Sequence, residues 1–269
     1  MTLRFHKMHG LGNDFVVIDG REAPVAIDAA LARAMADRHR GIGCDQLILI
    51  ENSPHADVAM RIFNADGSEV SACGNATRCV AQLVGGEATI STAAGLLHAS
   101  RSDGGISVDM GEPRFGWDEI PLAFAMHSAG LPLAWEMLEK PWTINVGNPH
   151  VVFFVKDCDA VPLERLGPLI EHDPVFPERI NVNVATIVDR GHLRLRVWER
   201  GAGLTRACGT GACATGVIAM MQGLVDSPVT VTLPGGDLSI GWAKGESIRM
   251  TGPATHVFSG EAELAAFGA

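Results

Sequence analysis

The order of apolar and polar positions along the first half of the chain predicts short strands and two helices. One helix is predicted over residues 28–39, which are rich in Ala and Leu and begin with Asp. A second helix is predicted after Cys73, where apolar residues recur at helical spacing until Gly85-Gly86 ends the pattern. Alternating or continuously apolar stretches predict strands at residues 3–8, 15–18, 47–50, 59–63, 89–92, 96–99 and 106–110.

The second half of the chain repeats this order of elements. Helices are predicted over residues 162–172 and from Cys208 to about Gly223. Residues 117–141 contain several prolines and no clean period, which indicates a linker between the halves. Strands are predicted at residues 143–146, 151–154, 181–185, 193–198, 229–233, 238–240 and 248–250.

The repetition extends to individual residues. Cys208 lies 135 positions after Cys73, and each of the two cysteines is followed by glycine. A constant offset over separate stretches indicates a duplication, with a first repeat at residues 1–116 and a linker plus second repeat at residues 117–269. The same offset relates Gly12-Asn13 to Gly147-Asn148, Gln46 to Asn181, and Arg61-Ile62-Phe63-Asn64 to Arg196-Val197-Trp198-Glu199.

Each repeat is therefore predicted to be of the mixed α/β (α+β) class, with mostly antiparallel strands around one apolar helix. The strand–helix–strand alternation of a doubly wound sheet is not evident in the pattern, so we do not expect that fold. No Gly-x-Gly-x-x-Gly follows a predicted strand into a helix, so the pattern does not indicate a dinucleotide-binding domain.

Composition narrows the class of protein. A net charge of −10 argues against a nucleic-acid-binding groove, which needs a basic face. The first residues form no continuous apolar stretch, and no run of about 18 apolar residues occurs, so neither a secretory signal nor a membrane span is expected. Six cysteines in a chain of this kind indicate reduced thiols and a cytoplasmic location.

The two cysteine motifs suggest acid–base chemistry. A cysteine at the first turn of a helix lies beside free backbone N–H groups, which stabilise a thiolate and bind carboxylates. Two thiols on opposite faces of one carbon could invert it, one taking a proton and the other giving one. The four other cysteines (Cys44, Cys79, Cys158 and Cys213) are predicted to be buried small apolar residues.

Other interpretations of these residues remain open at this point. Zinc ligation is disfavoured because neither Cys73 nor Cys208 has a second cysteine at ligand spacing, and no Cys-x-x-Cys supports a redox role. None of the four lysines has a recognisable setting for a pyridoxal cofactor. The repeated asparagines could be ordinary turn residues, Glu199-Arg200 a solvated pair, and His150 a core histidine.

The motifs taken together resemble one family. They are His9-Gly-Leu-Gly-Asn-Asp-Phe15, Ala72-Cys-Gly-Asn-Ala-Thr-Arg78, Gly147-Asn-Pro-His150, Asn181-Val-Asn183, Glu199-Arg-Gly201 and Ala207-Cys-Gly-Thr-Gly-Ala212. In this order they resemble the diaminopimelate epimerases. The resemblance implies interconversion of LL- and meso-2,6-diaminopimelate without cofactor or metal, in lysine and peptidoglycan precursor synthesis. It also implies two similar domains, each a sheet wrapped around a central helix, with the site between them, and a homodimer.

The resemblance also implies a role for each matching position. Cys73 and Cys208 match the two catalytic bases, and His150 and Glu199 match groups that assist at the reacting amino group. Gly74-Asn75 and Gly209-Thr210 match the turns that hold the reacting α-carboxylate. The implied substrate contacts are Asn13, Gln46, Asn64, Asn148, Asn181, Glu199 and Arg200. Leu204 departs from the glutamate common in relatives, which puts the packing near Cys208 in question.

Two alternative functions remain. A cofactor-independent racemase of proline or hydroxyproline would have little use for Arg200 and so many amides. A non-catalytic binder of small amino acids would not require two thiols. Both are therefore ranked below the epimerase.

Overall fold

The computed structural model describes residues 2–71 and 73–268, so Ala72 of the first cysteine motif and the terminal Met1 and Ala269 lie outside the described residues. The chain forms two compact units. The first unit comprises Met1–Val108 and Thr251–Ala269, and the second comprises Asp109–Met250.

The elements of the first unit follow the predicted order, with the helices at α1 (Ala29–Ala36) and α2 (Gly74–Leu83). Helix α1 ends earlier than predicted because the Asp37 side chain accepts hydrogen bonds from the backbone of His39 and Arg40. The strands are β1 (Thr2–Gly10), β2 (Asn13–Asp19), β3 (Gln46–Glu51), β4 (Val58–Asn64), β5 (Glu69–Val70), β6 (Ala88–Thr92), β7 (Gly95–Ser102) and β8 (Gly105–Asp109).

The middle strands of this unit are covered on both faces. Residues 15–18 of β2 and 47–50 of β3 are all fully buried, as their continuous apolar pattern predicts. Val16 and Leu47 pack with Leu31 of α1 in one core cluster. Because strand side chains alternate between faces, Phe15 and its alternate neighbours face the other side, where α2 packs.

The elements of the second unit include two helices among the described residues, α3 (Leu163–Glu171) and α4 (Gly209–Met221). The strands are β9 (Ala134–Trp135), β10 (Leu138–Glu139), β11 (Trp142–Asn145), β12 (Pro149–Phe154), β13 (Asn181–Asp189), β14 (His192–Glu199), β15 (Gly203–Thr205), β16 (Val229–Leu233), β17 (Gly236–Gly241) and β18 (Arg249–Gly252).

The prediction of a mixed α/β fold is confirmed, but the expected absence of strand–helix–strand units is wrong. The pairs β2–β3, β4–β6, β12–β13 and β14–β16 are parallel, and a helix lies between the strands of each pair along the chain. A parallel pair needs such a crossover because its strands run in one direction. Pairs such as β1–β2, β3–β4 and β13–β14 are antiparallel, which hides the alternation in the sequence.

The C-terminal segment packs with the first unit. Strand β19 (Thr255–Glu263) pairs with β1 over the whole length of that strand, from Thr2 opposite Glu263 to His9 opposite Thr255. A short 3-10 helix, Leu264–Phe267, follows. The compact units therefore differ from the predicted repeats, which assign residues 251–269 to the second half. The division at residue 116 stays a prediction about the duplication.

The stretch predicted as a linker belongs to the core of the second unit. Ile120, Leu122, Leu131 and Leu138 are buried in one cluster with the apolar residues of α3 and β12. Strands β9 and β10 form a hairpin within this stretch. The apolar residues of this stretch are separated by prolines and follow no clean period. The sequence pattern therefore does not predict that they are buried.

The cysteine-led helices are the most buried ones. In α2 every residue from Asn75 to Ala81 is buried, and in α4 every residue from Gly211 to Ala219. Helix α4 is apolar on nearly all sides, as expected of an enclosed helix, whereas α2 also buries the polar side chains of Asn75, Thr77 and Arg78. None of the helices in the described part of the chain is long and apolar enough to cross a membrane.

Candidate active site

The first cysteine turn lies at the start of α2. Cys73 is the N-cap residue, with extended backbone angles of φ −152° and ψ 112°, and Gly74 is the first helical residue. The Cys73 thiol donates to Asn13 Oδ1 at 3.9 Å. Asn75 Nδ2 donates to the same oxygen at 3.2 Å, so Asn13 links the thiol to the first turn of the helix.

A tight turn places Asn13 opposite this helix. Leu11 and Gly12 both have positive φ, at 57° and 84°, between the paired residues Gly10 and Asn13. Two consecutive residues with positive φ form the type I′ turn that joins antiparallel strands. This conformation costs energy for Leu11, and the turn begins β2 at Asn13.

Two further predicted residues lie near the same edge of the sheet. Gln46 begins β3, where it is opposite Asn64 at the end of β4, and its Nε2 donates to Asn64 Oδ1 at 3.0 Å. Gln46 Oε1 is buried and has no hydrogen-bond partner. Burying an acceptor without a donor is unfavourable, so this oxygen could accept a hydrogen bond from a ligand.

The second cysteine turn has the same backbone form. Cys208 is the N-cap of α4, with φ −129° and ψ 105°, and Gly209 begins the helix. Its sulfur accepts a hydrogen bond from Gly211 N at 3.4 Å and lies 3.5 Å from Thr210 Oγ1. Burial raises the pKa of Cys208 well above its usual value, and the Glu199 carboxylate raises it further. The Gly211 N–H and the Thr210 hydroxyl therefore do not outweigh burial, and Cys208 is a thiol at neutral pH.

Glu199 and Arg200 lie at the end of β14. Thr205 Oγ1 donates to Glu199 Oε1 at 2.5 Å, and burial raises the pKa of Glu199. The backbone N–H of Arg200 donates to Asn181 Oδ1 at 3.0 Å, which ties this turn to the start of β13. The Arg200 side chain is exposed and donates through Nη1 to a backbone carbonyl, Glu178 O.

His150 is buried with both ring nitrogens engaged. Its Nε2 lies 2.8 Å from Asn148 Oδ1, and Asn183 Nδ2 donates to its Nδ1 at 3.0 Å. Because Asn183 donates to Nδ1, the proton of the neutral ring is on Nε2. Burial lowers the pKa of His150 to about 3. His150 is therefore neutral at physiological pH, and Asn181 Nδ2 donates to Pro149 O beside it.

The structure thus brings the predicted residues together in two groups, one in each unit. The roles of these residues stay predictions. The first group contains Asn13, Gln46, Asn64, Cys73, Gly74 and Asn75, and the second contains Asn148, His150, Asn181, Glu199, Arg200, Cys208, Gly209 and Thr210. Leu204, the position that departs from the family pattern, is 42% exposed on β15.

Several residues that touch these groups were not among the predictions. Arg78 and Asp45 contact Asn75 and Asn13, and Asn183 contacts His150. Glu171 is almost fully buried and accepts a hydrogen bond from Gly201 N. A charged or amide residue within an otherwise apolar stretch, such as Arg78 in α2, is the signal that could have found them.

A cavity of about 770 Å³ lies elsewhere in the second unit. Met220 and Met221, at the C-terminal end of α4, line it together with Trp242 and Arg190. Cys208 caps the other end of that 13-residue helix, about 20 Å away at the usual rise. None of the predicted site residues lines the cavity.

Solved structures share this fold over nearly the whole chain. A PhzF-family phenazine biosynthesis protein of Bacillus anthracis has a TM-score of 0.70 at 19% identity, covering 98% of this chain and 99% of its own. A hydroxyproline epimerase from Agrobacterium vitis has a TM-score of 0.66 at 17% identity, covering 97% and 91%. The fold is thus that of the PhzF and proline racemase-like epimerases.

Sequence relatives identify the family among the proteins that share this fold. The family model for diaminopimelate epimerase matches residues 5–116 and 142–257. The diaminopimelate epimerase of Rhizorhabdus wittichii is 69% identical over 270 residues, covering 100% of this chain and 98% of the relative. That of Sphingopyxis alaskensis is 64% identical over 268 residues, covering 100% of both. The chain belongs to the diaminopimelate epimerase family and is an enzyme of the isomerase class.

Proposed function

We propose that this enzyme epimerises LL-2,6-diaminopimelate to meso-2,6-diaminopimelate with Cys73 and Cys208 as the acid–base pair. The observation that carries the proposal is that both cysteines are N-caps of buried helices with the same extended backbone, in a chain whose close relatives are diaminopimelate epimerases. Neither hydrophobic packing nor ligand binding alone requires a thiol at both helix starts.

The proposed reaction moves one proton off the α-carbon and another onto it. The thiolate of one cysteine takes the α-proton and becomes a thiol, leaving an α-carbanion. The thiol of the other cysteine then protonates the opposite face and becomes a thiolate. Because burial raises the pKa of Cys208, this residue holds its proton in the unliganded enzyme and is the proposed acid in the forward direction. Cys73 is then the proposed base.

Three features support carbanion stabilisation and proton transfer without a cofactor. The first turns of α2 and α4 offer free backbone N–H groups to the substrate α-carboxylate, whose negative charge grows as the proton leaves. Glu199 is the proposed partner of the Cys208 proton, and its raised pKa suits a group that shares one. His150, neutral and buried, is proposed to act by holding Asn148 rather than by ionising.

The distal end of the substrate carries a second ammonium and a second carboxylate. Amide oxygens and the guanidinium of Arg200 are chemically suited to these groups. The unpartnered Gln46 Oε1 is a candidate acceptor for an ammonium N–H. Asn13, Asn64, Asn148 and Asn181 complete the proposed contacts. A racemase of proline would have no distal charges to satisfy.

The pathway, the cellular location, the oligomeric state and the partners are inferred from the family resemblance and stay predictions. The product would serve lysine and peptidoglycan precursor synthesis, and the enzyme would act in the cytoplasm as a homodimer. We expect no nucleic-acid or membrane partner.

Exchange of the substrate α-proton with solvent tests the activity. Incubation with LL-diaminopimelate in D₂O should remove the α-proton signal from the NMR spectrum while the meso isomer appears. L-proline and trans-4-hydroxy-L-proline should retain theirs under the same conditions. Retention of the diaminopimelate α-proton would refute the proposal, and exchange of proline alone would favour the racemase instead.

Substitution of the thiols tests the mechanism. Cys73→Ala and Cys208→Ala should each reduce turnover at least about a thousandfold, because no other group at that position can accept or give the proton. Cys79→Ala and Cys213→Ala are matched controls, since these fully buried cysteines lie on the same two helices. The controls should keep turnover within about threefold of the parent. Near-normal turnover in either catalytic variant would remove that thiol from the mechanism.

A further inference from the structure

A chain of side-chain hydrogen bonds runs behind Cys73 in the first unit. Arg78 Nη2 donates to Asn75 Oδ1 at 2.8 Å, and Asn75 Nδ2 donates to Asn13 Oδ1 at 3.2 Å. Asn13 Nδ2 then donates to Asp45 Oδ2 at 3.0 Å. The Cys73 thiol donates to the middle of this chain, at Asn13 Oδ1. We call these four residues, Arg78, Asn75, Asn13 and Asp45, the amide relay.

The two ends of the amide relay determine which way its amides point. A guanidinium has only donors and an ionised carboxylate only acceptors. Asn75 must therefore turn its oxygen to Arg78, and Asn13 must turn its NH₂ group to Asp45. The atoms that then meet in the middle are a donor and an acceptor, so a single combination of amide orientations satisfies every bond.

Both ends are themselves held in place. Arg78 is fully buried, and its Nε donates to Pro253 O at 3.2 Å. A Cβ on Gly10 would lie 3.0 Å from Arg78 Nη2, so the guanidinium packs closely against β1. Asp45 accepts a hydrogen bond from Asp14 N at 3.1 Å through the oxygen that faces Asn13. Neither end can turn away without breaking these contacts.

The charged groups around the amide relay come from three elements and one loop. Arg78 is on α2, Lys7 is on β1 and Asp14 is on β2, while Arg38 and Asp45 lie between α1 and β3. Arg38 Nη2 donates to Asp45 Oδ1 at 2.8 Å and to Asp14 Oδ1 at 2.5 Å. Lys7 also pairs with Asp14, so these side chains form one ion-pair network at the Asp45 end.

The second unit has no equivalent of this chain at the repeat offset. The positions 135 residues after Arg78 and Asp45 are Cys213 and Ile180, and both are fully buried. Neither side chain can hold an amide in one orientation as a charged group does. The amide relay therefore distinguishes the Cys73 turn from the Cys208 turn.

We propose that Arg78 and Asp45 are positioning residues that keep the acceptor oxygen of Asn13 turned toward the Cys73 thiol. This inference rests on the proposed function of Cys73 as a base. An acceptor beside the sulfur favours S–H over the thiolate, so a thiolate formed there is more basic. A stronger base takes the weakly acidic α-proton more readily.

The test is the pH dependence of Cys73 alkylation in Asp45→Asn. The asparagine could donate to Asn13 and allow it to turn its NH₂ group toward the sulfur, and the change also removes a negative charge. Both effects favour the thiolate. We expect the midpoint of carboxamidomethylation by iodoacetamide, followed by peptide mass spectrometry, to move down by about half a pH unit at Cys73. Cys208 in the same digest should not move.

Glu69→Gln is the matched control for loss of a carboxylate from the first unit. Glu69 forms a two-bond ion pair with Arg61 at the surface and does not contact the amide relay. We expect its Cys73 midpoint to equal that of the parent. Asp45→Ala, which removes the acceptor altogether, should shift the midpoint in the same direction as Asp45→Asn and serves as a second variant if that protein folds poorly.

Turnover distinguishes a positioning role of Asp45 from a purely structural one. On the high-pH plateau, where Cys73 is fully a thiolate, Asp45→Asn should lower kcat with diaminopimelate about twofold while KM changes less, because a weaker base slows proton removal. An unchanged or raised Cys73 midpoint, or an equal shift in Glu69→Gln, would overturn the proposal. Alkylation needs no substrate, so failure of the parent enzyme to epimerise diaminopimelate would count against the proposed function alone.

Discussion

A single methyl group added at Gly211 should disturb the Cys208 turn. Gly211 lies in the first turn of α4, and its N–H donates to Cys208 Sγ. A Cβ built on Gly211 would lie 2.6 Å from Asn183 Oδ1, 3.0 Å from Val197 Cγ2 and 3.2 Å from Cys208 Sγ. An unstrained contact needs about 3.5 Å, so either Asn183 or the start of the helix must move in Gly211→Ala.

The magnitude follows from the contacts that would be lost. Asn183 Nδ2 donates to His150 Nδ1 and to Val151 O, and leaving a buried partner unsatisfied costs about 1–3 kcal/mol. Ala is favoured over Gly within a helix by about 1 kcal/mol, which offsets part of this cost. Loss of both hydrogen bonds, less the gain in helix propensity, should destabilise Gly211→Ala by about 1–5 kcal/mol.

Gly216→Ala is the matched control, because Gly216 is a buried residue of the same helix. Its Cβ would lie 3.1 Å from Ile240 Cγ2, 3.2 Å from Ile240 Cβ and 3.4 Å from Val229 Cγ1, contacts that a shift of a few tenths of an ångström relieves. The gain in helix propensity is the same. We therefore expect the stability of Gly216→Ala to stay within about 1 kcal/mol of the parent.

Thermal unfolding followed by circular dichroism provides the comparison. A difference of about 2 kcal/mol corresponds to about 4–8 °C in Tm for a chain of this size. Gly211→Ala should also lose most of its epimerase turnover, while Gly216→Ala should keep it. Equal Tm values for the two variants, with turnover retained in both, would refute the steric argument.

Three further predictions concern groups of the second unit. Burial raises the pKa of Glu199, so the folded state holds this proton more tightly and stability falls as pH rises above 4.5. Glu199→Gln should therefore flatten the dependence of Tm on pH across that range. A Tm profile equal to that of the parent would contradict this. The lowered pKa of His150 predicts ¹⁵N shifts of a neutral ring with its proton on Nε2 at pH 5, and an imidazolium signal there would contradict the assigned burial. Gly167→Ala should lower Tm by several degrees, because its Cβ would lie 2.5 Å from the Trp198 ring. Glu171 holds this ring in place by a hydrogen bond. A Tm equal to that of the parent would show that the ring can move without cost.

Local pattern was sufficient for much of the fold. The continuous apolar runs at residues 15–18 and 47–50 predict buried strands, and the structure buries every residue in them. The change of period after Cys73 and Cys208 predicts the two enclosed helices, since helical spacing depends only on neighbours along the chain. The mixed α/β class and the family could both be stated from these patterns and motifs.

Other features depend on residues far apart in the chain. The pairing of β19 with β1 joins segments separated by some 250 residues, and no local period encodes it. The parallel pairs such as β2–β3 are hidden because strand direction is set by the crossover rather than by composition. The apolar residues of the predicted linker also pack against distant segments, so no local period predicts that they lie in the core.

The active-site residues show the same division between features that depend on local pattern and features that depend on distant contacts. The positions of the thiols and amides, and the start of a helix at two of the thiols, follow from the order of residues along the chain. That Arg78 and Asp45 hold opposite ends of one hydrogen-bonded chain, and that burial keeps Cys208 protonated, is evident only from the folded protein. This is because pKa values and amide orientations depend on the surrounding dielectric and partners, which folding brings together from distant segments.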